Sequence, residues 1–286
     1  MSGSDGGGVN GPVEKPRGEV TVDDQGRLLV RVRLPLPASA RPRLLLQRRP
    51  KKGKPEETGR YVELEPAGQD QWRAVVEAAP ALDEGRWDAY VVDAPGDERT
   101  PLLSGLRDLR ALVSGGDGRA TPVAVRIPYA TEDGRLAVRA WWRATHAEAG
   151  RIVLAGDSMT VHARLFGARL GEGAAVSLNR RGQDSDVRQT ALRAEGGQDF
   201  SFTVDYGDLA AEGGGPGAGE APVFWDVYVR PATGTPRIRV ARLLDDIADR
   251  KTVFVYPAAV LGEVSARPYY TVDNDLSVEV APRRAR

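Results

Sequence analysis

The chain has 286 residues, 41% of them hydrophobic, and its 40 basic and 40 acidic side chains give a formal net charge of zero. That length suits one large domain or two ordinary ones, and the balanced charge argues against a general nucleic-acid binder, which needs positive excess over the phosphates. There is no cysteine, which excludes disulfides, thiolate catalysis and Cys-ligated zinc or iron–sulfur centres.

The first 18 residues, MSGSDGGGVNGPVEKPRG, are Gly, Ser, Pro and charge. They lack the apolar stretch of a signal peptide and the apolar area that would offset ordering entropy. Residues 1–18 are therefore expected to form a disordered leader. No run of 18 apolar residues occurs, so no membrane span is expected, and the expected location is cytoplasmic.

From residue 19 the pattern is period two. GRLLVRVRLP sets Leu28, Val30, Val32 and Leu34 on one face, with Leu29, Arg31 and Arg33 on the other. This is a half-buried strand. RPRLLLQRR, GRYVELEP, WRAVVE and WDAYVV follow between Pro, Gly and Asp clusters, and LRDLRALV near Leu112 closes the series. A second series runs from TPVAVRIPYA and GRLAVRAWWRA to KTVFVYP and LSVEVAP. LLDDIADRK, Leu243 to Lys251, is the one stretch that suggests a short helical turn. The spacing predicts an all-β chain of two Ig-like antiparallel β-sandwich units in tandem. Their expected limits are 19–114 and 121–282. The second unit is expected to be enlarged by an insertion near 150–170.

Internal repeats support two units. Gly26-Arg27-Leu28 recurs as Gly134-Arg135-Leu136, and Leu46-Gln47-Arg48-Arg49 as Leu178-Asn179-Arg180-Arg181. Gly68-Gln69-Asp70 recurs as Gly197-Gln198-Asp199, and Trp87-Asp88-x-Tyr90-Val91 as Trp225-Asp226-x-Tyr228-Val229. A motif repeated in order with other markers reads as scaffold, with both tryptophans in the cores. Aligning the two GRL strands puts Trp142 inward and Trp141 outward. An outward tryptophan implies a cover, either packing or a bound ligand.

Chemistry-bearing constellations are few. Two histidines, His146 and His162, have no HExxH-type spacing, so no metal site and no cofactor are expected. Gly156-Asp157-Ser158-Met159 resembles the GDS block of the SGNH hydrolases, in which the serine is the nucleophile. No histidine follows His162 to supply that family's late base, and the favoured reading is a hairpin turn between RIVLAG and MTVHARL. The catalytic alternative is an unfamiliar site built from Asp157, Ser158 and His162. AEGGGPGAGE lacks the Lys and Ser/Thr of a phosphate loop. QRRPKKGKPEE, with Arg48, Arg49, Lys51, Lys52 and Lys54, is a solvated hairpin loop or a contact for an anionic polymer. Trp141 with Arg48, Arg49 and Lys51 forms the expected ligand surface.

Three blocks together carry a resemblance. W-D-x-Y-V at Trp225 is followed by PRIRVARL and, near the end, by RPYYTVDNDLSVEV. This resembles the β-sandwich accessory modules attached to actinobacterial cell-surface-polymer glycosyltransferases and glycerophosphotransferases. Asn274-Asp275-Leu276-Ser277 stands where those modules read G-N-L-S. The resemblance implies a β-sandwich tandem without a transferase catalytic domain. It also implies a non-catalytic role in polymer or natural-product biosynthesis, with a glycan, a glycopolymer precursor or a biosynthetic enzyme as partner.

Overall fold

The computed structural model describes residues 15–283 apart from 38, 58, 93–97, 115–120, 184–186, 212–214 and 217–219. Residues 1–14 of the expected leader, most of the Ser114–Pro122 segment and much of AEGGGPGAGE lie outside the described residues, while Arg17 and Gly18, expected in the leader, open the first strand. The chain is all-β, and among the described residues there are two five-residue helices, α1 at Arg110–Ser114 and α2 at Tyr206–Ala210. It divides into two compact units, one of residues up to 80 with 84–111 and 128–140, the other of 81–83, 112–127 and 141–286.

The first eleven strands are β1 Arg17–Val22, β2 Leu28–Arg33, β3 Arg43–Arg48, β4 Arg60–Glu63, β5 Glu65–Gly68, β6 Gln71–Val76, β7 Gly85–Val92, β8 Thr100–Pro101, β9 Leu103–Asp108, β10 Val123–Ala130 and β11 Leu136–Arg143. They form sheets of order β5-β6-β2-β1-β9 and β10-β11-β7-β3-β4, with β8 on β7. The alternation works as expected: Val20, Val22, Leu28, Val30, Val32, Trp72, Ala74 and Trp87 are buried. The Trp72 indole N–H donates to the Leu34 carbonyl at 3.2 Å, satisfying the polar edge of a buried ring.

The remaining strands are β12 His146–Ala155, β13 Ser158–Phe166, β14 Ala175–Arg180, β15 Val187–Thr190, β16 Leu192–Gly196, β17 Asp199–Asp205, β18 Val223–Arg230, β19 Ile238–Ala241, β20 Ala259–Leu261, β21 Val264–Tyr270 and β22 Leu276–Pro282. They join in one path, β16-β17-β13-β12-β19-β18-β22-β21-β20, with β14 on β18 and β15 on β14. Met159, Val161, Phe200, Phe202, Trp225, Val227, Tyr270, Leu276 and Val278 share its core.

The repeated W-D-x-Y motif has one structural meaning in both units. Arg48 pairs with Trp87 and Gln47 with Asp88 across β3–β7. Arg180 pairs with Trp225 and Asn179 with Asp226 across β14–β18. The N–H of Arg49 donates to Arg86 and that of Arg181 to Phe224, each at 2.8 Å. Each tryptophan faces its core, at 6% and 0% exposure.

Other expected markers shift. β11 hydrogen-bonds to β7, with Val138 opposite Trp87 and Ala137 opposite Asp88. β22 pairs with β18 in the same way, Val278 opposite Trp225 and Ser277 opposite Asp226. The counterpart of Gly134-Arg135-Leu136 is thus Asn274-Asp275-Leu276. In both hairpins a threonine N–H donates to the carbonyl four residues on, Thr131 to Arg135 and Thr271 to Asp275, at 2.9 Å. Gly134 and Asn274 hold φ at 77° and 61°. Gly26-Arg27-Leu28 merely shares the turn chemistry, with Gly26 at φ 73°. Residues 128–140 therefore belong to the first unit's fold, although the sequence pattern opens a second unit at 121. The segment near 150–170 is the β12–β13 hairpin, which pairs as β1–β2 does.

Three local readings also change. Trp141 is 1% exposed and Trp142 46%, the reverse of the expected exposure, because the GRL alignment superposed two turns. Leu243–Lys251 forms bends rather than a helix, and the LRDLRALV stretch ends as α1.

Trp87→Ala and Trp225→Ala are each expected to cost about 3–5 kcal/mol, the range for deleting a buried large aromatic. Urea denaturation of the full chain measures this; unchanged midpoints in both variants would remove the tryptophans from the cores.

Candidate functional site

β13 carries Ser158, Thr160, His162 and Arg164 on its outer face, because Met159, Val161, Ala163 and Leu165 point into the core. The antiparallel register sets Asp205, Thr203, Ser201 and Asp199 of β17 opposite them in that order. Cross-strand partners on one face lie in contact. Thr160 and Thr203 share a hydroxyl hydrogen bond of 2.9 Å. Arg164 holds Asp199 with two parallel bonds, Nε to Oδ1 at 2.6 Å and a terminal nitrogen to Oδ2 at 2.7 Å.

His162 sits between a carboxylate and a guanidinium. Its Nδ1 is 3.1 Å from Glu195 Oε2, and its Nε2 is 3.1 Å from a terminal nitrogen of Arg151. A guanidinium only donates, so Nε2 accepts and the ring proton lies on Nδ1, donated to Glu195. The hydrogen bonds from His162 and then Ser201 hold the Glu195 carboxyl below its ordinary range. The Arg164 hydrogen bond does the same for Asp199.

These pairs open onto a cleft of about 560 Å³, within the range of small-ligand sites. Its lining includes Glu148, His162, Arg164, Phe166, Glu195, Asp199, Arg242, Leu244 and Asp245. One wall is the segment after β19. Glu148 holds it by accepting the backbone N–H groups of Leu243 at 2.8 Å and Leu244 at 3.0 Å. Glu148 is itself bonded to the buried His146 at 2.7 Å. Further on, the fully buried Arg250 donates from Nε to the Arg242 carbonyl at 2.8 Å and forms an ion pair with Asp245. Its guanidinium lies over the rings of Phe254 and Tyr270.

The outer face of β18 carries the other polar centre. Asp226 Oδ1 accepts from Arg181 at 2.6 Å, Arg239 at 2.7 Å and the Ser277 hydroxyl at 2.9 Å. Arg239 and Arg237 lie over the Tyr228 ring. A shallow depression of about 430 Å³ beside them is lined by Arg181, Asp226, Tyr228, Arg239, Thr271, Asp273 and Asp275. Burial pushes the Asp275 carboxyl up. In the first unit Asp88 holds Arg49 at 2.7 Å in the same way.

Of the expected ligand residues, Trp141 is buried and offers no open face for stacking. Arg48 is engaged by Glu57 at 3.0 Å and the Glu84 carbonyl at 2.5 Å, and Arg49 by Asp88. Lys51 is exposed on its turn, where its carbonyl accepts the Lys54 N–H. Of the catalytic alternative, Asp157 is exposed in the expected hairpin turn and its carbonyl accepts the Tyr206 N–H. The Ser158 hydroxyl donates to the Ala155 carbonyl at 3.1 Å. Four strand positions separate Ser158 from His162, roughly 13 Å at 3.3 Å per residue, so the two do not meet as nucleophile and base. Among the described residues, no group of three or more His, Asp or Glu is placed to hold a metal ion, and no helix is long and apolar enough to cross a membrane.

The clamp on Asp226 makes an acid-stability prediction. Burial alone would raise this carboxyl, but the hydrogen bonds from Arg181 and Arg239 outweigh it and bring it down to about 2. A depressed carboxyl stabilises the fold above its unfolded range, near 4, and that gain disappears as pH falls towards 2. The shift corresponds to about 2 kcal/mol. Asp226→Asn should therefore flatten the loss of stability between about pH 4 and 2 seen in denaturant titrations of the native chain. An unchanged slope would show that the clamp contributes nothing.

No protein family description and no curated protein matches the chain. Solved structures give two comparisons, "Crystal structure of S. aureus TarS" at 14% identity and TM-score 0.30, and "Crystal structure of S. aureus TarS 217-571" at 14% identity and TM-score 0.28. Both matches cover 66% of this chain, against 34% of the first TarS chain and 55% of the second.

Proposed function

We propose that the chain is a non-catalytic binding protein that takes a glycan or glycopolymer precursor in the cleft of its second unit, in support of polymer or natural-product biosynthesis. The observation that carries this reading is the convergence of two side-chain pairs, His162–Glu195 and Arg164–Asp199, on one open cleft with Phe166 and Leu244 in its lining. Few fixed polar groups around apolar surface orient a ligand without bond chemistry. The W-D-x-Y-V, PRIRVARL and RPYYTVDNDLSVEV blocks support the accessory role by their resemblance to modules of cell-surface-polymer enzymes.

Two features weigh against the hydrolase alternative on Asp157, Ser158 and His162. The serine hydroxyl is committed to a turn carbonyl, and the histidine's Nε2 faces a guanidinium instead of a hydroxyl. The first unit supports placing the site in the second. Leu34 N–H donates to the Asp70 carbonyl as Leu165 N–H donates to that of Gln198. Gln71, opposite Arg33, is thus the counterpart of Asp199 opposite Arg164, so an amide stands there in place of the carboxylate.

Calorimetric titration of the full chain with oligosaccharides and glycopolymer fragments tests the reading. Arg164→Ala is expected to weaken binding about tenfold, the worth of a charge-assisted hydrogen bond or two. Ser158→Ala should leave it unchanged. Turnover of simple acyl esters that disappears in Ser158→Ala would replace the binding reading with the catalytic one.

A further inference from the structure

Lysine is scarce in this chain and concentrated in one place. Five of the 40 basic side chains are lysines, and three of the five, Lys51, Lys52 and Lys54, fall within PKKGKP. This segment leaves β3 and makes one tight turn, in which the Lys54 N–H donates to the Lys51 carbonyl at 2.8 Å and Gly53 holds φ at 77°. Positive φ at the third residue is what a type II turn requires. Pro50 and Pro55 bracket the turn and restrict its backbone before any partner arrives. All three lysines are exposed, and a Cβ at Gly53 would meet no atom within 4 Å, so the turn stands out into solvent.

The charges beside the turn are committed, and the lysines are not. Glu56 accepts from Arg99 at 2.9 Å, Glu57 accepts from Arg48 at 3.0 Å, and Arg49 donates to Asp88 at 2.7 Å. Among the described residues no lysine side chain makes an ion pair. Arginine is used where a planar fork meets a carboxylate, and lysine where a compact charge is left to move. Nor does the fold require these lysines. The β14–β15 hairpin is the counterpart of β3–β4 and also turns at a glycine, Gly182 at φ 81°, with the Gln183 N–H on the Arg180 carbonyl at 3.1 Å. Its sequence, RRGQDSD, carries two aspartates and no lysine.

Such a cluster selects its partner by charge. Water and salt screen a single small anion at an exposed site. A polymer with a charge on every unit engages several ammoniums at once and releases its counterions. A chain of phosphates suits the turn better than a chain of carboxylates, because an ammonium meets a phosphate oxygen from any direction as a point charge. The protein meets its own carboxylates with arginine instead. PKKGKP has no aromatic ring to stack on a base and no large apolar side chain to enter a lipid interface, which disfavours nucleic acids and membranes.

We infer that the Lys51–Lys54 turn of the first unit is a docking point for a flexible, phosphate-bearing polymer, held by charge without a pocket. The inference does not depend on the cleft reading, which concerns the second unit.

The test is calorimetric titration of the full chain with inorganic polyphosphate at salt concentrations from about 50 to about 500 mM NaCl, the scale over which salt screens charge. The logarithm of affinity should fall against the logarithm of salt with a slope of about −2, the counterion release of three contacts on a single-stranded polyanion. The triple variant Lys51→Gln, Lys52→Gln, Lys54→Gln should bind at least about tenfold more weakly at the lowest salt and show a flatter slope. Its urea midpoint should match that of the native chain, because the three side chains are exposed. Lys251→Gln should leave the binding unchanged. Absence of polyphosphate binding, or equal binding by the triple variant, overturns the inference. Tighter binding of polygalacturonate, of single- or double-stranded DNA, or of phosphatidylglycerol vesicles also overturns it and names a different partner. Every one of these outcomes leaves the cleft reading standing.

Discussion

The carboxylate in W-D-x-Y is the interaction on which the rest of each unit depends. Trp and Asp are neighbours on one strand, so they face opposite sides of the sheet. The tryptophan fills the core while the aspartate ties down the arginine at the end of the adjacent strand, Arg49 to Asp88 and Arg181 to Asp226. One dipeptide thereby fixes the register of two central strands on both faces. In the second unit Asp226 also takes Arg239 and Ser277, which extends the grip to β19 and β22. β19 is the strand that continues to β12, so the clamp secures the junction between the two halves of the sheet path.

That junction positions the cleft. β12 pairs with β19 on one side and with β13 on the other. β13 supplies His162 and Arg164, and the chain leaving β19 supplies Arg242, Leu244 and Asp245. Glu148 stands on β12 between them and holds the wall by backbone N–H groups rather than by side chains. The wall's position therefore depends on the Glu148 carboxylate and on Arg250, not on which residues occupy 243 and 244.

Much of the fold was legible because half-buried strands write their geometry as alternation. In GRLLVRVRLP and MTVHARLF each inward residue is apolar, and the turns before them carry Gly or Asp, so face and strand start can be read directly. The repeated W-D and R-R blocks were legible for a related reason: the clamp needs both. Where one unit gives way to the next was not legible. A tight turn with positive φ demands glycine or asparagine wherever it occurs, so Gly26 and Gly134 look alike without being equivalent. The cleft was half legible. Alternation placed His162 and Arg164 on one face, and the Gly-Gln-Asp block contained Asp199, but their meeting depends on the β13–β17 register. Glu195 and Arg250 carried no signal, since a charged residue in a loop or strand edge reads as solvated until its partners are known.

β1 pairs with β9, and β12 with β19, in parallel, which has a consequence for how the chain acquires its structure. Leu243 meets Glu148 across 95 residues, and Arg17 reaches the Ser104 carbonyl across 87. Each unit thus closes its first strand against one of its last, and the entropic cost of so long a loop must be met before the contact returns anything. High contact order slows folding. During synthesis β12 and β13 emerge early and can form their hairpin at once, but β12 keeps one unsatisfied edge until residue 241 has left the ribosome. The tethering of the cleft wall is accordingly among the last events of folding, and an interrupted translation product would carry His162 and Arg164 with nothing facing them.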